Sequence, residues 1–360
     1  MKIGIIIRFY FYRVLLHKIK EGMIFPSHHL WGSDYLIEKG YILEEIDPNS
    51  VKQTKGILGR LFSSNLRQQN LIYKKKVDIV YSPFFFDCYW LAFLRILRLN
   101  KKPLITIAQD TWNTKYCDSV KEKICFKWFR FLAKYGTDRL LFISPNVLNK
   151  TNNYFDNNKT FALYHWGVDL SYFDSFLKVQ KNFSLNQYAY VTGGSNRDFE
   201  IIINAARNIP NVNIIIQSSK KSAKSIEKSS IPQNMKIITD CKEEFELLQG
   251  YYDSFCVLVP LLKDTGSMTG ITVVFEAMAM GKPIISTRSN YYPFDIEAEG
   301  IGIYVDYGDR CSWEKAIMYL YNNPQIAKEM GEKGKKLVQT NFNYKLFCNE
   351  LENHIRSLFS

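Results

Sequence analysis

Short β-rich apolar runs alternate with amphipathic helical stretches along almost the whole chain, and that alternation admits few architectures besides a parallel α/β fold. In the first half the pattern predicts strands at 2–7, 42–46, 79–82, 104–108, 139–143 and 161–164, with helices at 32–39, 59–75, 88–97, 121–135 and 145–153. In the second half it predicts strands at 188–192, 212–217, 236–239, 256–260, 283–286 and 302–305. Helices are expected there at 197–208, 242–253, 271–280, 311–322, 324–342 and 344–359. A length of 360 residues suits two domains of ordinary size. The Lys/Ser-rich stretch 218–230 reads as a surface loop.

Composition narrows the setting. The apolar fraction is 46%, enough for a packed core in each domain, yet no uninterrupted apolar stretch approaches the ~20 residues of a membrane helix. The first eight residues are too short for a signal peptide and read as a first buried strand. Seven scattered cysteines form no Cys-x-x-Cys pair, which points to a reducing cytoplasm and away from disulfides or a zinc site. Charge is placed unevenly: residues 1–170 hold 26 Lys and Arg against 14 Asp and Glu, and residues 171–360 hold 21 against 21. The whole net charge of +12 therefore belongs to the first half, which points to an anionic partner such as a membrane surface, a phosphorylated acceptor or nucleic acid. No recognisable nucleic-acid-binding signature accompanies that charge, so no nucleic-acid partner is expected.

The run from Gly266 to Thr287 carries the sharpest local signal. A polar, glycine-bearing loop enters a helix whose body is apolar apart from one acid, Glu276, and Gly281-Lys282-Pro283 stops it. Backbone N–H groups at Gly270, Ile271 and Thr272 are expected at the positive end of that helix, a ready anion site. One turn further in, the Glu276 carboxylate is placed to hydrogen-bond a ribose diol. The two features together suggest a nucleoside-diphosphate site.

This stretch resembles the donor-site motif of family 4 glycosyltransferases, in which a Glu, seven residues, a second Glu and Ala-Met-Ala-x-Gly-x-Pro follow one another. Here the second acid is Glu276 and the run 277–283 matches, but Met268 stands in the place of the first acid. The resemblance implies a GT-B fold, with two facing Rossmann-like domains, parallel sheets and a cleft between them. It places an N-terminal acceptor-binding domain at 1–167 and a C-terminal nucleotide-sugar-binding domain at 168–343. The last helix, 344–360, is placed to pack back on the first domain. In the family the first acid touches the donor sugar and the second the ribose. With Met268 in place, the sugar hydroxyls are expected on backbone N–H groups of Met268, Thr269 and Gly270 and on the Thr269 or Thr272 hydroxyl.

Other segments match more loosely. The loop 192–198 follows a predicted strand, and its glycines, Gly193 and Gly194, let a ligand approach the backbone. Arg197 sits near the family's diphosphate-binding Lys, and a guanidinium grips a diphosphate through several N–H groups. His28, His29 and Gly32 lie where the family has its first loop and helix on the acceptor side. Two adjacent histidines make no metal site without a third ligand, and no Asp-x-Asp motif occurs, so no metal is expected. Asp110 ends a predicted strand beside Gln109, at a point where the family often carries His-Asp, and it is a candidate to orient an acceptor hydroxyl. The segment 8–20 mixes aromatics, leucines and cations in a way that suits a membrane interface.

The resemblance implies a retaining transfer of a sugar from a nucleotide donor, UDP- or GDP-linked, without a further cofactor. The implied acceptor is a glycan or lipid-linked glycan, and the implied setting is polysaccharide or lipopolysaccharide synthesis at the inner face of the cell membrane. Arg197 and Asp110 are the catalytic candidates. The rival reading is a GT-B protein that binds a nucleotide-sugar or glycan without turnover.

Overall fold

The computed structural model describes residues 1–7, 25–45, 64–151, 154–155, 160–162, 165–180, 188–224, 226, 231–239 and 244–360. The segment 8–20, and parts of the predicted helix 59–75 and loop 218–230, lie outside the described residues. The chain forms two compact units: Met1–Trp166 together with Tyr344–Ser360, and Gly167–Asn343.

The first unit is built on a parallel sheet of β1 (Lys2–Ile5), β2 (Ile42–Glu45), β3 (Ile79–Ser82), β4 (Leu104–Ala108), β5 (Arg139–Phe142) and β6 (Thr160–Ala162). Their spatial order is β2-β1-β3-β4-β5-β6. β3 and β4 are buried along their whole length, which is why they read as continuous β-branched runs and not as alternating ones. The connecting helices are α1 (Ser33–Glu38), α2 (Ser64–Lys74), α3 (Tyr89–Ile96), α4 (Val120–Gly136) and α5 (Pro145–Thr151). α4 opens on a capping box: the Glu122 N–H donates to Ser119 Oγ, and the Glu122 carboxylate accepts from the Ser119 N–H, both at 3.2 Å. It closes on Gly136, where a Cβ would lie 2.4 Å from the Ala92 carbonyl oxygen.

The second unit repeats the plan with β7 (Tyr188–Thr192), β8 (Asn213–Gln217), β9 (Met235–Ile238), β10 (Ser254–Val259), β11 (Ile284–Thr287) and β12 (Gly302–Val305). All neighbours are parallel, in the order β12-β11-β10-β7-β8-β9. Its helices are α6 (Leu170–Val179), α7 (Phe199–Asn208), α8 (Lys220–Ala223), α9 (Glu244–Asp253), α10 (Ile271–Ala279), α11 (Arg310–Asn322) and α12 (Pro324–Thr340). α7 and α11 press Ile202, Ala205, Ala206, Trp313, Ile317 and Leu320 into one apolar layer with β7, β8 and β10. α10 is buried along its length, and α12 crosses it so closely that a Cβ on Gly331 would lie 1.9 Å from the Gly281 carbonyl oxygen. From β7 the chain steps outward to β8 and β9, then returns to the other side of β7 as β10. The loops leaving β7 and β10 therefore run apart, and this switch point opens a crevice at their carboxyl ends.

Two helices depart from the expected pattern. α6 falls in a stretch expected to be a connection; Asp169 caps it, accepting from the N–H groups of Ser171 and Tyr172 at 3.1 and 3.4 Å. α8 is a single turn within the expected surface loop, capped by Ser219. Where the second unit begins, Gly167 lies against its end: the Val168 N–H donates to the Phe342 carbonyl at 3.2 Å, and a Cβ on Gly167 would overlap that oxygen. The last helix, α13 (Tyr344–Arg356), belongs to the first unit. It buries Phe347, Leu351 and Ile355, and its Glu352 accepts from the hydroxyls of Tyr35 and Tyr41, each at 3.0 Å. Among the described residues, no helix is long and apolar enough to cross a membrane.

Candidate functional site: a glycine-lined cationic crevice

The loops after β7 and β10 are fastened to each other before they diverge. The Asp198 N–H donates to Pro260 O at 3.1 Å, the Leu262 N–H donates to Asn196 O at 3.0 Å, and Arg197 and Leu261 form an isolated antiparallel bridge. The Leu261 N–H in turn donates to Thr287 Oγ1 at 2.8 Å, tying in the end of β11.

Arg197 sits where these loops meet. Its Nε donates to Thr192 O at 3.2 Å and one terminal nitrogen to Ser195 O at 3.1 Å, so the guanidinium is held by backbone carbonyls. Two left-handed glycines flank it. A Cβ on Gly193 (φ 86°) would lie 2.8 Å from its Nη2, and one on Gly270 (φ 91°) would lie 3.5 Å from its Nη1. Both positions favour glycine for the backbone angle; at Gly193 a Cβ would also crowd the cation, and at Gly270 it would lie 2.8 Å from Val259 Cγ1 and 3.0 Å from Tyr292 Oη. Burial pushes the guanidinium pKa down, opposed by Tyr292, Tyr251 and Glu276. Among the described residues it forms no ion pair, so the crevice contains a half-buried positive charge hydrogen-bonded to backbone carbonyls.

Helix α10 points its N-terminus into the same place. Gly270 is its N-cap and offers no side chain to the first turn. The Ile271 N–H donates to Met268 O at 3.2 Å, which corrects the expectation that it is open to an anion; the Thr272 and Val273 N–H groups remain at the positive end. The preceding loop is pinned by its own polar groups. Hydroxyls of Thr265, Ser267 and Thr269 meet one another at 2.8–3.0 Å, Gly266 N–H donates to Asp264 Oδ1 at 2.9 Å, and Tyr292 Oη donates to Thr269 O at 3.0 Å. The Thr269 hydroxyl, expected on a donor sugar, is therefore bonded within the loop, and the Met268 side chain is buried.

Glu276 is 8% exposed, and the wholly buried Tyr251 donates to its Oε2 at 2.5 Å. Burial, and then the Glu276 charge, hold the Tyr251 hydroxyl pKa well above its ordinary value, so it stays a donor. Gly194 turns elsewhere: a Cβ there would overlap Ser222 Oγ, and α8 packs against it. The structure thus brings Gly193, Arg197, Gly270, the start of α10 and Glu276 together. Sequence reasoning missed Tyr251 and Tyr292, which stand in polar stretches with no local signal for the site.

Tyr292 gives this site a measurable alkaline signature. Burial pushes its hydroxyl up to about 12 from an ordinary value of 10.0. A raised pKa means the native state keeps its proton longer than the unfolded chain does. The associated stability is complete below pH ~10 and is lost as pH rises towards 12. A shift of that size corresponds to about 2–3 kcal/mol. Tyr292→Phe should flatten the loss of stability between pH 10 and 12 in urea titrations, and an unchanged slope would remove Tyr292 as its source.

The first unit places its candidates at the other expected positions. His28 is buried, with its ring 4.3 Å from that of His29; burial, and then His28, hold the His29 imidazole well below its usual pKa. Gly32 has a packing role: its N–H donates to Tyr344 Oη at 2.8 Å, and a Cβ would lie 2.8 Å from Leu351 Cδ2, so the expected acceptor-side N–H is already spent. Asp110 follows β4 and is half-buried. Around it Gln109 Nε2, Thr111 Oγ1 and Trp112 Nε1 are buried without a hydrogen-bond partner among the described residues, and Trp112 adopts a strained positive φ of 44°.

Two parallel-sheet α/β units, the second with a cationic crevice at its switch point, define the GT-B class of fold. Residues 195–337, most of the second unit, match the family described as glycosyl transferases group 1, which supports a glycosyltransferase. An uncharacterized glycosyltransferase of Methanocaldococcus jannaschii is 24% identical over 271 residues, covering 74% of this chain and 72% of that protein. Sucrose-phosphate synthase from Thermosynechococcus elongatus shares the fold over 100% of this chain and 99% of its own, at 14% identity and a TM-score of 0.73. Anabaena HepE, solved with UDP and glucose, matches over 99% of both chains at 12% identity and a TM-score of 0.68.

Proposed function

We propose that this glycosyltransferase moves a sugar from a UDP- or GDP-sugar to a glycan or lipid-linked acceptor, with retention at the anomeric carbon and no requirement for a metal or cofactor. The observation that carries this reading is Arg197, a half-buried guanidinium with no ion pair among the described residues, beside the N-terminus of α10. A diphosphate supplies the missing anion, and charge accumulating on it as the glycosidic bond breaks meets a preorganised cation and dipole. Glu276 takes the ribose. HepE was solved with UDP and glucose, which favours a UDP-hexose as the first donor to try. On the acceptor side, the buried donors of Gln109, Thr111 and Trp112 suit a polyhydroxylated ligand beside Asp110, with His28 and His29 as further contacts. The basic first unit suits a peripheral protein on the inner face of the cell membrane, engaged in polysaccharide or lipopolysaccharide synthesis.

A nucleotide-sugar panel scored by thermal shift tests the donor half. A donor at about a hundred times its Kd should add about 2.7 kcal/mol and raise Tm by several degrees. Release of nucleoside diphosphate with acceptor present, undiminished by EDTA, tests transfer and metal independence; the anomeric configuration of the product tests retention. One observation favours a non-catalytic binder instead: Met268 is buried and brings no carboxylate to the sugar. Donor binding without turnover on any acceptor would establish that reading.

A further inference from the structure

Helix α4 has two apolar faces. One carries Leu132, Ala133 and Gly136 into the core, with Phe129 against Phe85, Phe86 and Tyr89. The other is an exposed stripe: Val120, Ile124, Trp128, Phe131 and Tyr135 are 72, 64, 46, 42 and 53% exposed. At ~100° per residue these five fall within an arc of about 80°, next to the core face that begins at Leu132. They are organised side chains. Trp128 stacks on Phe131 at 5.5 Å, Phe131 meets Tyr135 at 5.1 Å, and Phe93 on α3 extends the patch to Trp128 at 6.1 Å. Exposed Leu97 and Leu99 follow α3.

Cations border the stripe. Lys121 lies along one edge and Lys123, Lys127, Arg130 and Lys134 along the other, on a helix whose one acid, Glu122, is engaged in its own capping box. A contiguous exposed apolar face on a folded protein marks an interaction surface. Its composition chooses the partner. Aromatic residues with one wet end, aliphatics between them and lysines able to reach outward match the headgroup boundary of an anionic bilayer. A second copy of the chain is disfavoured by the same charges, since apposed stripes bring two rows of cations together.

We propose that this face of α4 seats the first unit on an anionic membrane, with the helix lying in the plane of the interface. The proposal deepens the acceptor side of the function proposed above, but lipid binding is read without donor, acceptor or turnover.

Sedimentation of the full chain with phosphatidylglycerol/phosphatidylcholine vesicles tests it. The wild type should bind anionic vesicles and lose roughly tenfold or more in partitioning on pure phosphatidylcholine or in high salt. Trp128→Ser with Phe131→Ser should reduce partitioning by at least about tenfold, and Lys123, Lys127 and Lys134→Gln by roughly a hundredfold. Brominated lipid should quench the wild type more than Trp128→Phe, which keeps the apolar face but removes the reporter. UDP binding by calorimetry should be equal in all variants, so a failed donor reading and a failed membrane reading give different results. Absence of binding by the wild type, or undiminished binding by the stripe variant, overturns the proposal. So does a lipid-free dimer that the stripe variant dissolves while vesicle binding persists.

Discussion

Arg197→Ala is expected to lower kcat by roughly a hundred- to a thousandfold and to leave the donor KM within a few-fold. The guanidinium is fixed by two backbone carbonyls and hemmed in by Gly193 and Gly270, so it does not reorganise when charge moves. A cation already in place gains most when the departing diphosphate acquires its full charge, and an effect confined to the transition state appears in kcat. Arg197→Lys should recover part of the loss, because it keeps the charge and loses the fork. The alanine variant also leaves the Thr192 and Ser195 carbonyls without their donor, so its melting curve must be measured beside its kinetics. A folded variant with normal kcat and only a raised KM would show that Arg197 acts on the bound donor alone.

Glu276 needs two substitutions to separate its roles. Glu276→Ala removes the acceptor of the Tyr251 hydroxyl, which is wholly buried, and an unpaired hydroxyl there costs about 1–3 kcal/mol of stability. Glu276→Gln keeps an oxygen for Tyr251 and the shape of the side chain, and removes the charge. If the carboxylate holds the ribose, the glutamine variant should bind UDP roughly tenfold more weakly with an almost unchanged Tm, and the alanine variant should be worse on both counts. Tyr251→Phe is the control: nucleotide affinity should stay near normal. Equal UDP affinity in wild type and Glu276→Gln by calorimetry would refute the ribose role.

Much of the fold was written in local patterns. β3, β4, β7 and β12 begin and end where their β-branched runs do, because strands buried on both faces need apolar residues throughout. α10 was legible for another reason: a glycine at its N-cap and a Gly-x-Pro stop are backbone requirements that few residue types meet. α6 was missed because its signal competed with a glycine turn. Asp169 followed by Leu170, Phe173 and Phe176 is a capped amphipathic start, yet Gly167 drew the stretch towards a connection. At the site, Glu276 and Arg197 stood out as lone charges in apolar or glycine-rich company. What surrounds them did not: Tyr251 reaches Glu276 from α9, and Tyr292 reaches Thr269 from the loop beyond β11. Such contacts are decided by how the sheet is ordered, and nothing in a linear spacing records that β10 returns beside β7. Gly32, read as part of the acceptor side, is also a contact point for a helix more than 300 residues away, which no local pattern records.

That last contact sets the order in which the protein can be finished at the ribosome. The face of the first unit that holds Gly32, Asp34 and Tyr35 is completed by Tyr344, Leu351 and Glu352, so the domain begun first is closed last. At ~5–20 residues per second, the intervening stretch takes about 15–60 s to synthesise. Throughout that time Trp31 has no Phe347 to pack against, while the whole second unit is made. A chain cut short before Tyr344 therefore leaves the ribosome with a finished second unit and an unsealed first one, a natural target for chaperones and proteases.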